Sequence, residues 1–366
     1  MLSSNNNIKI FLELVRAGLW EKDVRLLPFG DVDFSEVQKL AEEQAVVGLV
    51  AAGLEHVTDV KLPKEEVFPF IGQALQLEQQ NMEMNKFIVS LVKKMRDANI
   101  YSVLVKGQGI AQCYERPLWR SSGDVDLYLS ESSYMAARSF LSAIASHVDD
   151  ENEKMKHLGM TIGSWVVELH GAMYTELSSE INKGLDDVHS CIFNKGEVRC
   201  WDNSGVPVFL PSPDNDIIIV FTHILQHFFI EGIGLKQICD WCRLLWTYRD
   251  AIDKDLLRNR LKKMGLYRIW EVFACLAVNE LGMPEGAMPF YTKGKHGSKS
   301  KKLMARVIES GNFGHNKDLS YRTRYSGMTY IIVAAWRRLK DFASLIPVFP
   351  LDAPRFYVTY VLGKVK

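Results

Sequence analysis

Apolar residues recur every three to four positions in the first quarter of the chain, then switch to every second position. Ile8, Phe11, Leu12 and Val15 stand at helical spacing, as do Val37, Leu40, Ala41 and the run Val46 to Leu54. Phe70 to Arg96 reads as one long amphipathic helix with Leu75, Met82, Phe87, Leu91 and Met95 on its apolar face. From residue 99 the pattern is of strand type: Ser102–Val105, Val125–Leu129, His157–Ile162, Trp165–His170, Val198–Trp201 and Val206–Leu210. Gly163-Ser164 separates two of these runs by a hairpin-length turn. Helices are expected between strands at Gln108–Tyr114 and Ser132–Ser146. Pro211-Ser-Pro213 closes the strand region, and Asp214 or Asn215 is the expected cap of a helical stretch running to about residue 281. Gly294 to Ser300 reads as a mobile basic loop, and a last helix is expected from about Tyr325 to Ala343. The pattern predicts an α+β protein in three parts: an N-terminal helical region at 1–97, a mixed α/β core with a mixed β-sheet at 98–212, and a C-terminal helical region at 213–366.

Composition narrows the class. A chain of 366 residues with 47% apolar residues and a mean hydropathy of −0.06 buries a sizeable core and stays soluble. The 44 basic and 44 acidic residues cancel, so the whole molecule has no net pull toward nucleic acid or an anionic membrane. Charge is uneven locally: twelve Lys or Arg lie between Lys293 and Lys340 against Glu309 and Asp318. That stretch reads either as a solvated basic face or as a seat for an acidic acceptor or a triphosphate. Of six cysteines only Cys239-Asp-Trp-Cys242 is closely spaced, inside a helical apolar pattern and without a second pair for zinc, so all six read as reduced thiols. The start, Met1 to Lys9, lacks a basic and an apolar signal region, and the longest apolar run, Ile217 to Ile230, is too short to span a bilayer. A cytoplasmic protein with no membrane partner is the expectation.

The candidate chemistry lies in Arg120-Ser-Ser-Gly-Asp-Val-Asp-Leu-Tyr-Leu129 and Val166-Val-Glu-Leu-His170. In a strand, Asp124 and Asp126 leave one face together while Val125 and Leu127 enter the core. Two carboxylates side by side are costly without a cation between them, and hard oxygen ligands suit Mg²⁺, with Mn²⁺ as the substitute. Glu168, in a second run of the same alternation, completes three convergent carboxylates of the kind a metal-assisted phosphoryl transfer uses. The tetrapeptide alone carries little weight, because Gly30-Asp-Val-Asp33 repeats Gly123-Asp-Val-Asp126. The first copy runs into a helical period, so Asp33 or Ser35 reads as an N-cap. The second comes after an apolar strand ending in Lys106-Gly107, where glycine admits a phosphate to the backbone and Lys106 adds charge. Arg120 is expected to hold phosphate bidentately, with Ser121 and Ser122 supplying hydroxyls. His170 shares a face with Glu168 and is expected to touch phosphate or acceptor, or to be a hydrogen-bonded structural residue. His223 and His227 stand at i and i+4 and, with Asp240, form a candidate polar cluster with the same alternatives; zinc there lacks ligands.

A strand ending in Lys106-Gly107, a helix, Arg120-Ser-Ser-Gly-Asp-Val-Asp-Leu127, and a strand with Glu168-Leu-His170 together resemble the polymerase-β-type nucleotidyltransferase superfamily. More narrowly, the chain resembles an uncharacterised bacterial nucleotidyltransferase family with Leu-Lys-Gly followed by Arg-x-x-x-Asp-h-Asp-h, where h is apolar. That family also carries paired histidines, matched here by His223-Ile-Leu-Gln-His227 and Gly234-Leu-Lys-Gln-Ile-Cys-Asp240. The resemblance covers roughly residues 30 to 250. It implies that 98–212 is the catalytic core and that Mg²⁺-dependent transfer of a nucleoside monophosphate occurs from an NTP such as ATP to an acceptor, releasing pyrophosphate. Many superfamily members have Gly-Ser or Gly-Gly where this chain has Gly107-Gln108, which removes a hydroxyl from the phosphate site; Ser121 or Ser122 is the expected substitute. A small-molecule or sugar acceptor is the favoured reading. The alternatives are transfer to RNA or protein and a non-catalytic nucleotide-binding or regulatory module on the same fold.

Overall fold

The structure, a computed structural model, describes residues 6–317, 324 and 327–365. Met1 to Asn5, with most of the stretch between Asp318 and Ser326, lies outside them. Part of the expected basic segment, including Arg322, and the start of the last expected helix at Tyr325 therefore also fall outside.

Four helices come first: α1 (Asn6–Trp20), α2 (Phe34–Glu43), α3 (Val47–Glu55) and α4 (Lys64–Asp97). Strand β1 (Val103–Val105) runs into the short α5 (Gly107–Ala111), followed by β2 (Asp124–Tyr128), α6 (Glu131–Ser142), β3 (His147–Val148), β4 (His157–Ile162) and β5 (Trp165–His170). These strands form one mixed sheet in the order β1-β2-β5-β4-β3, with β2 and β5 parallel at its centre and the other pairs antiparallel. The expected turn at Gly163-Ser164 joins β4 to β5 and sets Ile162 opposite Trp165. After α7 (Ser179–Phe193), a hairpin of β6 (Val198–Asn203) and β7 (Val206–Pro211) turns on Ser204 and Gly205. Both turn residues have positive φ, 55° and 81°, as a two-residue type I′ turn requires. Helices α8 (Pro213–Ile230), α9 (Leu235–Thr247), α10 (Lys254–Lys263), α11 (Tyr267–Asn279), α12 (Gly297–Ser310), α13 (Gly327–Leu345) and α14 (Asp352–Val365) complete the described chain. The α+β class expected from the pattern holds.

The strand alternation sorts the sheet into two faces. Val125, Leu127, Val167 and Leu169 pack with Met84, Ile88 and Leu91 of α4 and with Tyr134, Ala137 and Leu141 of α6 in one core. Asp124, Asp126, Glu168 and His170, at the intervening positions, point to the other face. A larger core joins the N-terminal helices to α7–α12 and includes the fully buried rings of Phe221, Trp241, Trp270 and Phe273. Trp241 and Trp270 meet edge to face at 4.7 Å, a geometry worth about 0.5–1.5 kcal/mol beyond the area buried. This packing fixes α8 and α9 over the polar face of the sheet.

Several local expectations shift. Helix α7 and the two-residue β3 were not predicted. Helix α7 does carry a start signal: the Ser178 hydroxyl accepts from the Ile181 N–H, and Ile181, Leu185, Val188 and Ile192 are buried. Helix α8 begins at Pro213 after Ser212, ahead of the expected cap, because proline is already set for the first helical turn. Gly297 to Ser300 is the first turn of α12 rather than loop. On α4, Leu75 and Met82 are exposed, and Asn81 is buried in their stead. Its amide donates 2.7 Å hydrogen bonds to the carbonyls of Leu118 and Arg120, which rotates that part of the helix face inward. The first Gly-Asp-Val-Asp copy behaves as expected, with Asp33 Oδ1 accepting from the Glu36 N–H at 3.0 Å to cap α2.

Candidate active site

Parallel pairing of β2 with β5 sets Asp126 beside Glu168 and Tyr128 beside His170. With Asp124 two residues before Asp126, three carboxylates present oxygens that all lie within 4.8 Å of one another. That spacing and the all-oxygen donor set fit a hard divalent cation. Lys106 Nζ sits 2.7 Å from Asp126 Oδ1 and supplies compensating positive charge. Its backbone has φ 56° and ψ −144°, close to a region almost reserved for glycine and costing about 1–3 kcal/mol. This strained backbone directs the Lys106 side chain onto Asp126, at the edge of the carboxylate cluster. Gly107 comes next with φ +39°, and a Cβ there would come to 3.4 Å from the Asp124 carbonyl. Helix α5 is only five residues long, so its dipole is weak and the lysine charge dominates this corner.

The titration behaviour reflects these contacts. Burial raises the Asp124 carboxyl, Asp126 beside it raises it further, and it sits above the usual carboxylate range. Burial also acts on Asp126, but Lys106 and a hydrogen bond from His170 outweigh it and hold Asp126 below that range. Hydrogen bonds from His157 and His170 hold Glu168 well below its ordinary value. Burial opposes charge on His170, yet its bonds to Asp126 (2.8 Å) and Glu168 win and raise it. Lys106 is raised in the same way, burial being outweighed by Asp126.

The opposite wall comes from α8 and α9. Together with β2, β5 and the 120–123 loop they enclose a cleft of about 460 Å³, also lined by Asn312 and Phe313. Arg120 is buried, and its Nε and Nη2 each donate at 2.7 Å to the two oxygens of Asp240. Its Nη1 donates to the Ser121 carbonyl and the Ser122 hydroxyl, and Tyr114 adds a 2.8 Å bond to Asp240. In this arrangement the Arg120 fork is engaged by Asp240, and Arg120 lines the cleft while fixing the loop that leads into β2. His223 and His227 meet edge to face, with ring centroids 4.4 Å apart. His223, His227 and Asp240 line one cleft, and His227 Nδ1 pairs with Glu231 at 2.7 Å. Burial, then nearby Lys106, pushes His223 well below its ordinary value. Gln108 turns away from the cleft, donating to Asn81 Oδ1 at 2.6 Å.

Every other residue singled out from the sequence — Lys106, Gly107, Ser121, Ser122, Asp124, Asp126 and Glu168 — lines this cleft, and His170 contacts two of its carboxylates. Two residues were missed. Lys236 faces the cleft one helical turn before Asp240, and burial lowers its ammonium to about 8, with the Arg120 charge adding to the shift. The i, i+4 spacing with Asp240 was the available signal. His157 lies 3.1 Å from Glu168, and the turn at Gly163-Ser164 already implied its pairing with His170.

Residues 30–282 match the family described as uncharacterised nucleotidyltransferase. No match was found among curated proteins or among solved structures. Among the described residues no helix is long and apolar enough to cross a membrane. Matched over more than half its length, and carrying the acidic cluster on the matched strands, the chain belongs to this nucleotidyltransferase family and is a nucleotidyltransferase.

Proposed function

We propose that the protein transfers a nucleoside monophosphate from an NTP to a hydroxyl or phosphate oxygen of a small-molecule acceptor, a sugar being one such class. The observation that carries this reading is the convergence of Asp124, Asp126 and Glu168 in a cleft that also holds Lys106 and Lys236. In the transfer the acceptor oxygen attacks the α-phosphorus, and a hydroxyl acceptor releases its proton to water in the open cleft. The bond from that phosphorus to the bridging oxygen breaks, and its electron pair leaves with pyrophosphate. Asp124, Asp126 and Glu168 would hold Mg²⁺ or Mn²⁺, which when bound neutralises phosphate charge and orients the phosphates. Lys106 at the Gly107 turn and Lys236 across the cleft place two positive charges against the triphosphate, and Ser121 and Ser122 offer hydroxyls at its edge. Glu168 suits ligation better than base catalysis, because a carboxylate held far below its ordinary value accepts protons poorly.

A small acceptor is favoured by the cleft, whose volume of about 460 Å³ is in the range of small-molecule sites. The basic stretch from Lys293 gives less support to RNA. Lys293 pairs with Glu285, Lys295 with Glu271, and both Arg306 and Lys317 with Asp341. Pyrophosphate release from each of the four NTPs, measured across hydroxyl and phosphate acceptors with and without Mg²⁺, tests the reading. Metal-dependent release with at least one pair is expected; none with any pair would contradict it.

A further inference from the structure

Glu168 belongs to two clusters. On one side stand Asp124 and Asp126; on the other stand His157 and His170. The β4–β5 register sets His157 directly opposite His170, so both rings rise from neighbouring strands on the face that carries Glu168. Their centroids are 4.8 Å apart. Both present Nε2 to the same oxygen, Glu168 Oε2, at 3.1 and 3.5 Å. His170 Nε2 also lies 2.8 Å from Asp126 Oδ1, so Glu168 is one of its two carboxylate partners. Two ring nitrogens and one carboxylate converging on a point are the ligand arrangement of a first-row transition ion. The donor atoms of the three lie within 4.8 Å of one another. The side chains keep 34%, 28% and 12% of their surface for His157, Glu168 and His170, so an ion can enter from solvent.

We infer that His157, Glu168 and His170 form a second divalent-cation site with two nitrogen donors and one oxygen donor, selective for a first-row transition ion over Mg²⁺. Imidazole suits Zn²⁺, Fe²⁺ and related ions, while Mg²⁺ takes oxygen ligands. Glu168 is shared with the all-oxygen set, so the cleft offers two adjacent positions of different chemistry. The role of this site in catalysis rests on the proposed nucleotidyl transfer; its existence does not.

Zn²⁺ calorimetry and Co²⁺ visible absorption on the full chain test it. Wild type, Asp124→Asn and His227→Ala are expected to bind one equivalent with similar affinity and with the absorption of nitrogen-ligated Co²⁺. His157→Ala and the conservative His157→Gln are expected to weaken Zn²⁺ by about 100-fold, at least the cost of losing an outer-shell partner, while retaining Mg²⁺ binding. Zn²⁺ affinity within about twofold of wild type in both His157 variants, twofold being within ordinary measurement scatter, would overturn the inference. So would loss of Zn²⁺ in Asp124→Asn, which places the ion in the carboxylate triad, or loss in His227→Ala, which places it on α8. Wild-type protein that binds Zn²⁺ at His157 but no Mg²⁺ would contradict the proposed function and leave this site standing.

Discussion

Gly-Asp-Val-Asp occurs at 30–33 and again at 123–126, and the two copies end in different chemistry. At the first, the Asp33 carboxylate caps α2 through the Glu36 N–H, at the surface. At the second, Asp126 is buried between Lys106 at 2.7 Å and His170 at 2.8 Å, with Glu168 on the adjacent strand. The tetrapeptide is identical, so the difference lies in the residues after it and in the strand that pairs with it. Phe34-Ser35-Glu36 starts a helix and turns the carboxylate onto its own backbone. Leu127-Tyr128 continues a strand and lines the carboxylates up with those of a parallel neighbour. An acidic cluster of this kind is therefore a property of the sheet, not of four residues.

The two copies should differ most under Asp126→Asn and Asp33→Asn. The first is expected to lower nucleotidyl transfer by about 10³-fold or more, on the order of 4 kcal/mol, in a pyrophosphate-release assay. The second leaves transfer at the wild-type level. Next is Asp240→Asn, which leaves the Arg120 charge buried with only part of its partner. Chemical denaturation is expected to show a loss of about 3 kcal/mol, since breaking a buried pair costs far more than an exposed one. Lys236→Met comes third, with NTP affinity about tenfold weaker, or about 1.4 kcal/mol. It also carries a pH signature. With an ammonium near 8, Lys236 is charged below that pH and neutral above it. Its pull on the triphosphate is thus present at pH 7 and fades as pH rises through 8. The wild-type affinity profile should show that decline, and the Lys236→Met profile should be flat there. The smallest effect is Asp33→Ala, about 1 kcal/mol of stability from a lost N-cap, with NTP binding unchanged.

Much of the site was legible because it rests on local rules. Period-2 alternation placed Asp124, Asp126 and Glu168 on one face, and the Lys106-Gly107 junction fell where a strand meets a helix. The features that were not legible depend on partners distant in sequence. The partner of the Arg120 fork is Asp240, which α9 brings to it from 120 residues on. Asn81 looks like the polar side of an amphipathic helix until the carbonyls of Leu118 and Arg120 need its amide. Lys236 looks like a solvated helix residue until α9 is laid over the sheet. Helix α7 is the exception: its Ser178 cap and its apolar spacing are local, so the sequence carried its signal in full.

Calorimetry of NTP binding with and without Mg²⁺, on wild type and on the Asp124→Asn/Asp126→Asn double variant, decides whether the carboxylate cluster is a metal–nucleotide site. Wild type is expected to bind at least one of ATP, CTP, GTP and UTP in a manner that requires Mg²⁺ and is lost in the double variant. Binding that is independent of Mg²⁺ and equal in the two proteins would contradict it.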